Sequence, residues 1–123
     1  FKFSEHIKKG SPIVVYNNAM MSRDMTYVDD ICEEIQKCFE YENSKHQVFN
    51  LGNNKPVQLK KLISTIENFY DKEAIIRFEE SNDEVKKTYA DLTKSKKFLK
   101  YNPKTCFEDG MNNFLRWHSK FSN

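Results

Sequence analysis

The strongest pattern in the sequence is a helical stripe of apolar residues within residues 58–70. The apolar positions recur at i, i+3, i+4, i+7, i+10 and i+11, so they share one face of an α-helix; they are Leu59, Leu62, Ile63, Ile66, Phe69 and Tyr70. Short runs rich in β-branched and aromatic residues at 13–16, 47–51 and 74–78 predict strands. Helices that alternate with short strands indicate an α/β fold.

Weaker signals predict the remaining elements. Phe3 and Ile7 share the face of a short helix that ends at Gly10. Residues 23–28 read as an extended segment, residues 79–87 as a surface loop, and the residues that follow Asp91 as a short lysine-rich helix that ends at Leu99. A helix is predicted to run from Asp29 or Asp30, either of which could cap it, to about residue 39. A last helix begins near residue 107.

The length of 123 residues corresponds to one domain or part of one. Only 38% of the residues are apolar, yet aromatic residues reach 14%, which is more than disordered chains usually carry. The predicted strands are too few for a doubly wound sheet. The absence of an initiating Met suggests a truncated chain, so we expect part of the fold to be missing.

Charge and cysteine content exclude several classes of function. Twenty Lys and Arg against 18 Asp and Glu give a net charge of +2, too small to drive binding to nucleic acid or to an anionic membrane. No apolar run is long enough for a membrane span. Cys32, Cys38 and Cys106 lack zinc-ligand spacing and predict reduced thiols in a cytoplasmic protein, with no bound metal.

Three stretches carry a family resemblance. They are residues 1–31 with Arg23-Asp24-Met25-Thr26-Tyr27-Val28-Asp29-Asp30, residues 48–57 with Asn50-Leu51-Gly52-Asn53, and residues 88–110 with Thr88-Tyr89-Ala90-Asp91. In order and spacing they resemble the C-terminal, sugar-nucleotide-binding portion of the extended short-chain dehydrogenase/reductase family, and they are most similar to UDP-glucuronate 4-epimerases. The resemblance covers nearly the whole chain. It implies a two-part enzyme whose N-terminal Rossmann domain binds NAD.

The resemblance implies that residues 1–123 are this substrate-binding region, without the Rossmann core. Gly10, Gly52 and Gly110 are too far apart to form a dinucleotide-binding loop. Tyr41 and Lys45 match the family's Tyr-x-x-x-Lys spacing, but they lie in a charged run and we attribute the match to chance. We therefore expect no catalytic residue, no NAD bound to this chain and no epimerase activity from the chain alone.

Three residues are candidates for binding a UDP-sugar through the resemblance. Arg23 falls where the family's arginine contacts the diphosphate, and Tyr16 falls where an aromatic residue contacts uracil. Glu84 falls where an acidic residue contacts the ribose, although Asp83 replaces the glycine that usually precedes it and Glu is longer than the usual Asp. The alternatives are a surface ion pair of Arg23 with Asp24 or Asp29, a core role for Tyr16 and a solvated charge at Glu84.

Other polar residues are given structural roles. Asp29 and Asp30 are adjacent, so their side chains point in different directions, and we predict helix capping rather than metal binding or acid–base chemistry. His6, His46 and His118 are predicted to be surface or partly packed residues.

The resemblance implies that residues of about 29–51 pack on the missing Rossmann domain, and apolar faces exposed by its absence could cause self-association.

In the leading functional interpretation, the chain is part of an NAD-dependent UDP-sugar 4-epimerase. The alternatives are part of a sugar-nucleotide dehydratase, or a non-catalytic module that binds a nucleotide sugar or a protein.

Overall fold

The structure is a computed structural model that describes residues 1–42 and 45–121. Its helices are α1 (Lys2–Lys9), α2 (Val28–Glu40), α3 (Leu59–Tyr70), α4 (Thr93–Leu99) and α5 (Phe107–Phe121). Its strands are β1 (Ile13–Tyr16), β2 (Ser22–Asp24), β3 (Pro56–Gln58) and β4 (Ile76–Glu79). A single 3₁₀ turn, Asn17–Ala19, follows β1. The predicted α/β character is confirmed.

The strands of the described residues form two separate two-stranded sheets. β1 pairs with β4 in parallel, with Ile13 opposite Ile76 and Tyr16 opposite Glu79. β2 pairs with β3 antiparallel, with Arg23 opposite Val57. A parallel pair requires a long crossover, and here the chain between β1 and β4 contains β2, α2, β3 and α3.

The hydrophobic core lies between the β1–β4 sheet and helices α1, α3 and α5. It contains the buried side chains of Ile7, Ile13, Val15, Ala19, Met21, Leu59, Ile63, Ile66 and Leu115. The predicted stripe of α3 supplies three of them, because Leu59, Ile63 and Ile66 face inward. The prediction of this helix is therefore correct in position and in orientation, except that Gln58 ends β3 rather than beginning the helix.

Two predicted features are wrong. Residues 47–51 form no strand, because no other segment of the described chain pairs with their backbone. Neither Asp29 nor Asp30 caps α2, since the helix begins one residue earlier and Tyr27 occupies the N-cap position without a side-chain hydrogen bond. The carboxylate of Asp30 instead accepts hydrogen bonds from the backbone N–H groups of Lys104 (3.2 Å) and Thr105 (3.0 Å).

Helix α2 buries two acidic side chains and exposes several apolar ones. Asp30 and Glu34 retain only 7% and 1% of their accessible surface, whereas Ile35 and Phe39 retain 44% and 87%. The nearest cation to Glu34 is the ammonium of Lys37, 3.0 Å from Oε2. A soluble helix normally shows the opposite arrangement, so the outer face of α2 lacks an apolar partner within the described residues.

The ends of α1 and α4 each have a residue in the left-handed conformation. At the end of α1 this residue is Gly10 (φ 67°), whose N–H bonds back to the helix as the predicted stop requires. At the end of α4 it is Lys100 (φ 58°). A side chain with a Cβ is strained in this region by roughly 1–2 kcal/mol.

We therefore predict that Lys100→Gly raises the free energy of unfolding by about 0.5–1 kcal/mol. Urea denaturation measures the change. Lys96→Gly is the matched control, because Lys96 lies inside α4 and glycine there costs about 1 kcal/mol. If both substitutions destabilised the protein, strain at Lys100 would be disproved.

Candidate functional site

The side chain of Arg23 projects from β2 against the loop of residues 80–87. Its Nη1 donates to the carbonyls of Val85 (2.7 Å) and Ser22 (3.0 Å). Its Nη2 lies 2.6 Å from Oε2 of Glu84. Two of the three predicted ligand residues therefore meet, although 61 positions separate them in the sequence. In the alternative of a structural ion pair, the partner of Arg23 is therefore Glu84 rather than Asp24 or Asp29, and the side chain of Glu84 is partly buried.

The loop of residues 80–87 is held at both ends. At its start, the side-chain amide of Asn17 donates to the carbonyl of Ser81 (2.8 Å) and accepts from the Ser81 N–H (3.0 Å). At its end, Ser22 donates its N–H to the carbonyl of Lys86 (2.9 Å) and accepts from the N–H of Thr88 (3.2 Å). The predicted loop is thus confirmed except for Glu79, which ends β4.

Tyr16 is the last residue of β1 and directly precedes Asn17, whose side chain is hydrogen-bonded to Ser81. Its side chain is partly buried and packs against the hydrophobic core. Among the described residues, no hydrogen bond or ion pair joins Tyr16 to Arg23 or Glu84. Tyr16 therefore lies next to Asn17, which binds the start of the loop, whereas Arg23 contacts Glu84 and Val85 near the end of the loop.

Asp24 organises the backbone around Arg23, a role that the sequence did not suggest. Its Oδ1 accepts from the N–H of Asn53 (3.1 Å), and its Oδ2 accepts from the N–H groups of Asn54 (3.0 Å) and Ala90 (3.1 Å). A partly buried carboxylate with several N–H donors makes strong charge-assisted hydrogen bonds. Asp24 thus ties β2 to the two other stretches that carry the family resemblance, around Gly52 and Ala90.

The position of Gly52 requires the absence of a side chain. A Cβ there would lie 2.7 Å from Asp24 Oδ2 and 2.8 Å from the Cβ of Ala90. The carbonyl of Gly52 accepts a hydrogen bond from the hydroxyl of the buried Tyr101 (2.7 Å). Burial raises the pKa of Tyr101 above its ordinary value, so its hydroxyl stays protonated as a donor. Asp24 and Tyr101 together fix the Gly52 segment from two sides.

A large apolar groove lies elsewhere, between α1, the start of α2, α3 and α5. Its volume is about 900 Å³ and its lining is mostly apolar; the aromatic lining residues are Phe1, Phe3, Tyr27, Phe107, Phe114 and Trp117. Lys2 is the one charged lining residue among those described, and Tyr16, Arg23 and Glu84 do not line the groove. A diphosphate would find little charge compensation there.

His118 lies behind this groove and is fully buried, so its prediction as a surface or partly packed residue is wrong. Its Nδ1 lies 2.7 Å from the hydroxyl of Tyr70, and its Nε2 lies 3.1 Å from a carboxylate oxygen of Glu5. Burial, followed by the charge of Glu5, raises the pKa of Tyr70. These contacts join α1, α3 and α5, which gives His118 a structural role.

The family profile described as GDP-mannose 4,6 dehydratase matches residues 1–114. The chain belongs to this family, within the extended short-chain dehydrogenases/reductases. The resemblance inferred from the motifs is thus confirmed. No helix of the described residues combines the length and apolar character needed to cross a membrane.

Individual relatives agree with this assignment. An uncharacterised protein of Methanocaldococcus jannaschii is 43% identical over 95% of this chain and 36% of its own length. UDP-glucuronate 4-epimerase 1 of Arabidopsis thaliana is 28% identical over 98% of this chain and 32% of its own length. The Bacillus cereus UDP-glucuronic acid 4-epimerase, solved with UDP-glucuronic acid and NAD, superposes with a TM-score of 0.85 at 25% identity, covering 96% of this chain and 38% of that one.

The chain therefore spans between 32% and 38% of the length of these three relatives. The portion that it matches is their C-terminal portion.

Because Asp24 receives three backbone N–H groups, we predict that Asp24→Asn lowers the free energy of unfolding by about 1–3 kcal/mol. The amide keeps a single acceptor oxygen and turns an NH₂ group toward one of the donors. Asp29→Asn is the control, since Asp29 is exposed on the first turn of α2 and should cost less than about 1 kcal/mol. Equal losses in urea denaturation would contradict this role of Asp24.

Proposed function

We propose that this chain supplies the nucleotide-sugar-binding portion of an NAD-dependent UDP-sugar 4-epimerase, of the kind that interconverts UDP-glucuronate and its 4-epimer. The observation that carries the proposal is the position of Arg23 on β2. Hydrogen bonds fix the loop of residues 80–87 beside Arg23 and the backbone around the adjacent Asp24. Relatives named UDP-glucuronate 4-epimerase and a structure with bound UDP-glucuronic acid support the choice of substrate class.

The chemistry of a nucleoside diphosphate fits these residues. A diphosphate site needs at least one fixed guanidinium or ammonium, and Arg23 offers a guanidinium that is already oriented by two carbonyls. A uracil ring needs an apolar surface, which we assign to Tyr16 at the end of β1. The ribose contact assigned to Glu84 would require its carboxylate to leave the guanidinium of Arg23.

The described residues do not fit NAD. A dinucleotide site combines a strand, a glycine-rich turn and a helix at the edge of a parallel sheet. The two sheets described here have two strands each, and the three glycines of the chain are scattered. In our proposal NAD and the hydride-transfer chemistry belong to the nucleotide-binding half of the parent enzyme, which we place in the cytoplasm.

We assign residues of about 29–51, which comprise the outer face of α2 and the segment that follows it, to contact with the nucleotide-binding half of the parent enzyme. Val28, Ile35 and Phe39 on α2 and Val48 beyond it are exposed by 60%, 44%, 87% and 65%. Contiguous apolar surface of this kind usually marks an interface. On the opposite face of α2, Glu34 is buried and Asp30 bonds to the backbone of residues 104–105.

For the isolated chain, this proposal predicts self-association through α2. Phe39→Ser should shift the purified protein toward the monomer in sedimentation velocity while changing the free energy of unfolding by less than about 0.5 kcal/mol. Phe121→Ser is the control, because Phe121 is 72% exposed but lies on α5. A wild-type chain that remains monomeric at all concentrations would reject the prediction.

For the nucleotide site, we predict that Arg23→Ala weakens UDP binding about 10-fold to 100-fold, since a charged hydrogen bond contributes about 1.5–3 kcal/mol. Chemical-shift titration of the ¹⁵N-labelled chain with UDP measures weak binding directly. Arg23→Lys should recover part of the loss, because an ammonium lacks the planar pair of donors.

Arg77→Ala is the charge-matched control, since Arg77 is exposed on β4, and it should leave UDP affinity within about twofold. If Arg23→Ala lowered stability without affecting UDP binding, Arg23 would only fasten the loop. A wild-type chain that shows no shift with UDP would reject the proposed site.

A sugar-nucleotide dehydratase is the second candidate, favoured by the description of the family profile. A non-catalytic binding module is the third. Reading frames upstream of the coding sequence would separate the enzyme candidates from the module, because an enzyme needs a glycine-rich turn and a Tyr-x-x-x-Lys pair. Product analysis of the full-length protein would separate epimerisation from dehydration.

A further inference from the structure

We propose that Glu84 is an internal competitor for the guanidinium of Arg23 and so lowers the affinity of the site for a nucleoside diphosphate. The inference rests on the proposed function, because it concerns the same site. It reverses the role that the resemblance implies for Glu84, since a ribose-binding carboxylate would increase affinity for the nucleotide.

Both terminal nitrogens of Arg23 already have hydrogen-bond partners. A guanidinium has five N–H groups, and phosphate binds best to two that point in parallel. Both hydrogens of Nη1 are engaged, by the carbonyls of Val85 and Ser22. Nη2 is engaged by Glu84 at 2.6 Å. A diphosphate can therefore take the place that Glu84 occupies at Nη2 only after the carboxylate has moved.

The backbone keeps Glu84 within reach of Arg23. Ser22, the residue before Arg23, is hydrogen-bonded to Lys86 and Thr88, so residues 84–88 run beside β2. The other end of the loop is held at Ser81 by Asn17. A carboxylate tethered in this way competes at a high effective concentration.

The negative charge of Glu84 affects how strongly this surface attracts an anion. The Glu84 side chain and that of Arg23 are 29% and 28% exposed, so the ion pair is only partly screened by solvent. The residues that follow, Lys86 and Lys87, are exposed cations. Without the Glu84 charge, the surface around Arg23 and the two lysines would be more positive, and a more positive surface attracts anions.

The test compares Glu84→Gln, Glu84→Asp and the control Glu80→Gln in the complete 123-residue chain. Glu80 is an exposed glutamate of the same loop. Each variant is titrated with UDP, inorganic pyrophosphate and uridine at one salt concentration, and binding is followed by the chemical shifts of the ¹⁵N-labelled protein. The ¹⁵N–¹H spectrum of each variant also shows whether it is folded.

We expect Glu84→Gln to raise the affinities for UDP and pyrophosphate by about threefold to tenfold and to leave uridine unchanged. Glu84→Asp, whose shorter side chain reaches Arg23 less well, should give a smaller gain, and Glu80→Gln should change affinity by less than about twofold. When Glu84→Gln is added to Arg23→Ala, UDP affinity should rise less than it does in the wild-type background, because the guanidinium for which Glu84 competes is absent.

A loss of UDP affinity in Glu84→Gln, with pyrophosphate unchanged, would overturn the inference and assign Glu84 to the ribose, while the proposed function would stand. Unchanged UDP affinity would also overturn it. If neither the wild type nor any variant bound UDP or pyrophosphate, the proposed function and the inference would both be rejected.

Discussion

The candidate site depends on the hydrogen bonds that the carboxylate of Asp24 accepts. These three backbone hydrogen bonds join β2 to the segment around Gly52 and to the segment around Ala90. The stretches that carry the family resemblance therefore meet at one side chain, although they are far apart in the sequence. Arg23 is the neighbour of Asp24 in the same strand, so the orientation of the guanidinium toward residues 84–85 depends on the same anchorage.

The second constraint is the orientation of α2. An amphipathic helix normally turns its apolar face inward, because burial of apolar surface is favourable by about 25 cal/mol per Å². Here Asp30 faces inward and is satisfied by the backbone of residues 104–105, whereas Ile35 and Phe39 face outward. The hydrogen bonds of Asp30 set this orientation within the chain. The outer face of α2 is thereby left apolar and exposed, as the proposed contact with a second part of the protein requires.

The comparison of sequence and structure separates local signals from distant ones. The stripe of α3, the strand Ile13–Tyr16 and the stop at Gly10 were predicted correctly, because each depends on side chains within a few positions of one another. The strand expected at 47–51 failed because a strand exists only where a second backbone is available to pair with it. The cap expected from Asp29 or Asp30 failed because the backbone of residues 104–105 binds Asp30 instead.

The sequence by itself determined the family, the α/β character and the identity of Arg23 as the candidate diphosphate residue, because these depend on the order and spacing of residues along the chain. Only the tertiary structure decided that Arg23 pairs with Glu84, that Asp24 holds three backbone segments and that His118 is buried. Each of these contacts joins residues far apart in the sequence. Their distances depend on how the whole chain folds back on itself, and no local pattern encodes that path.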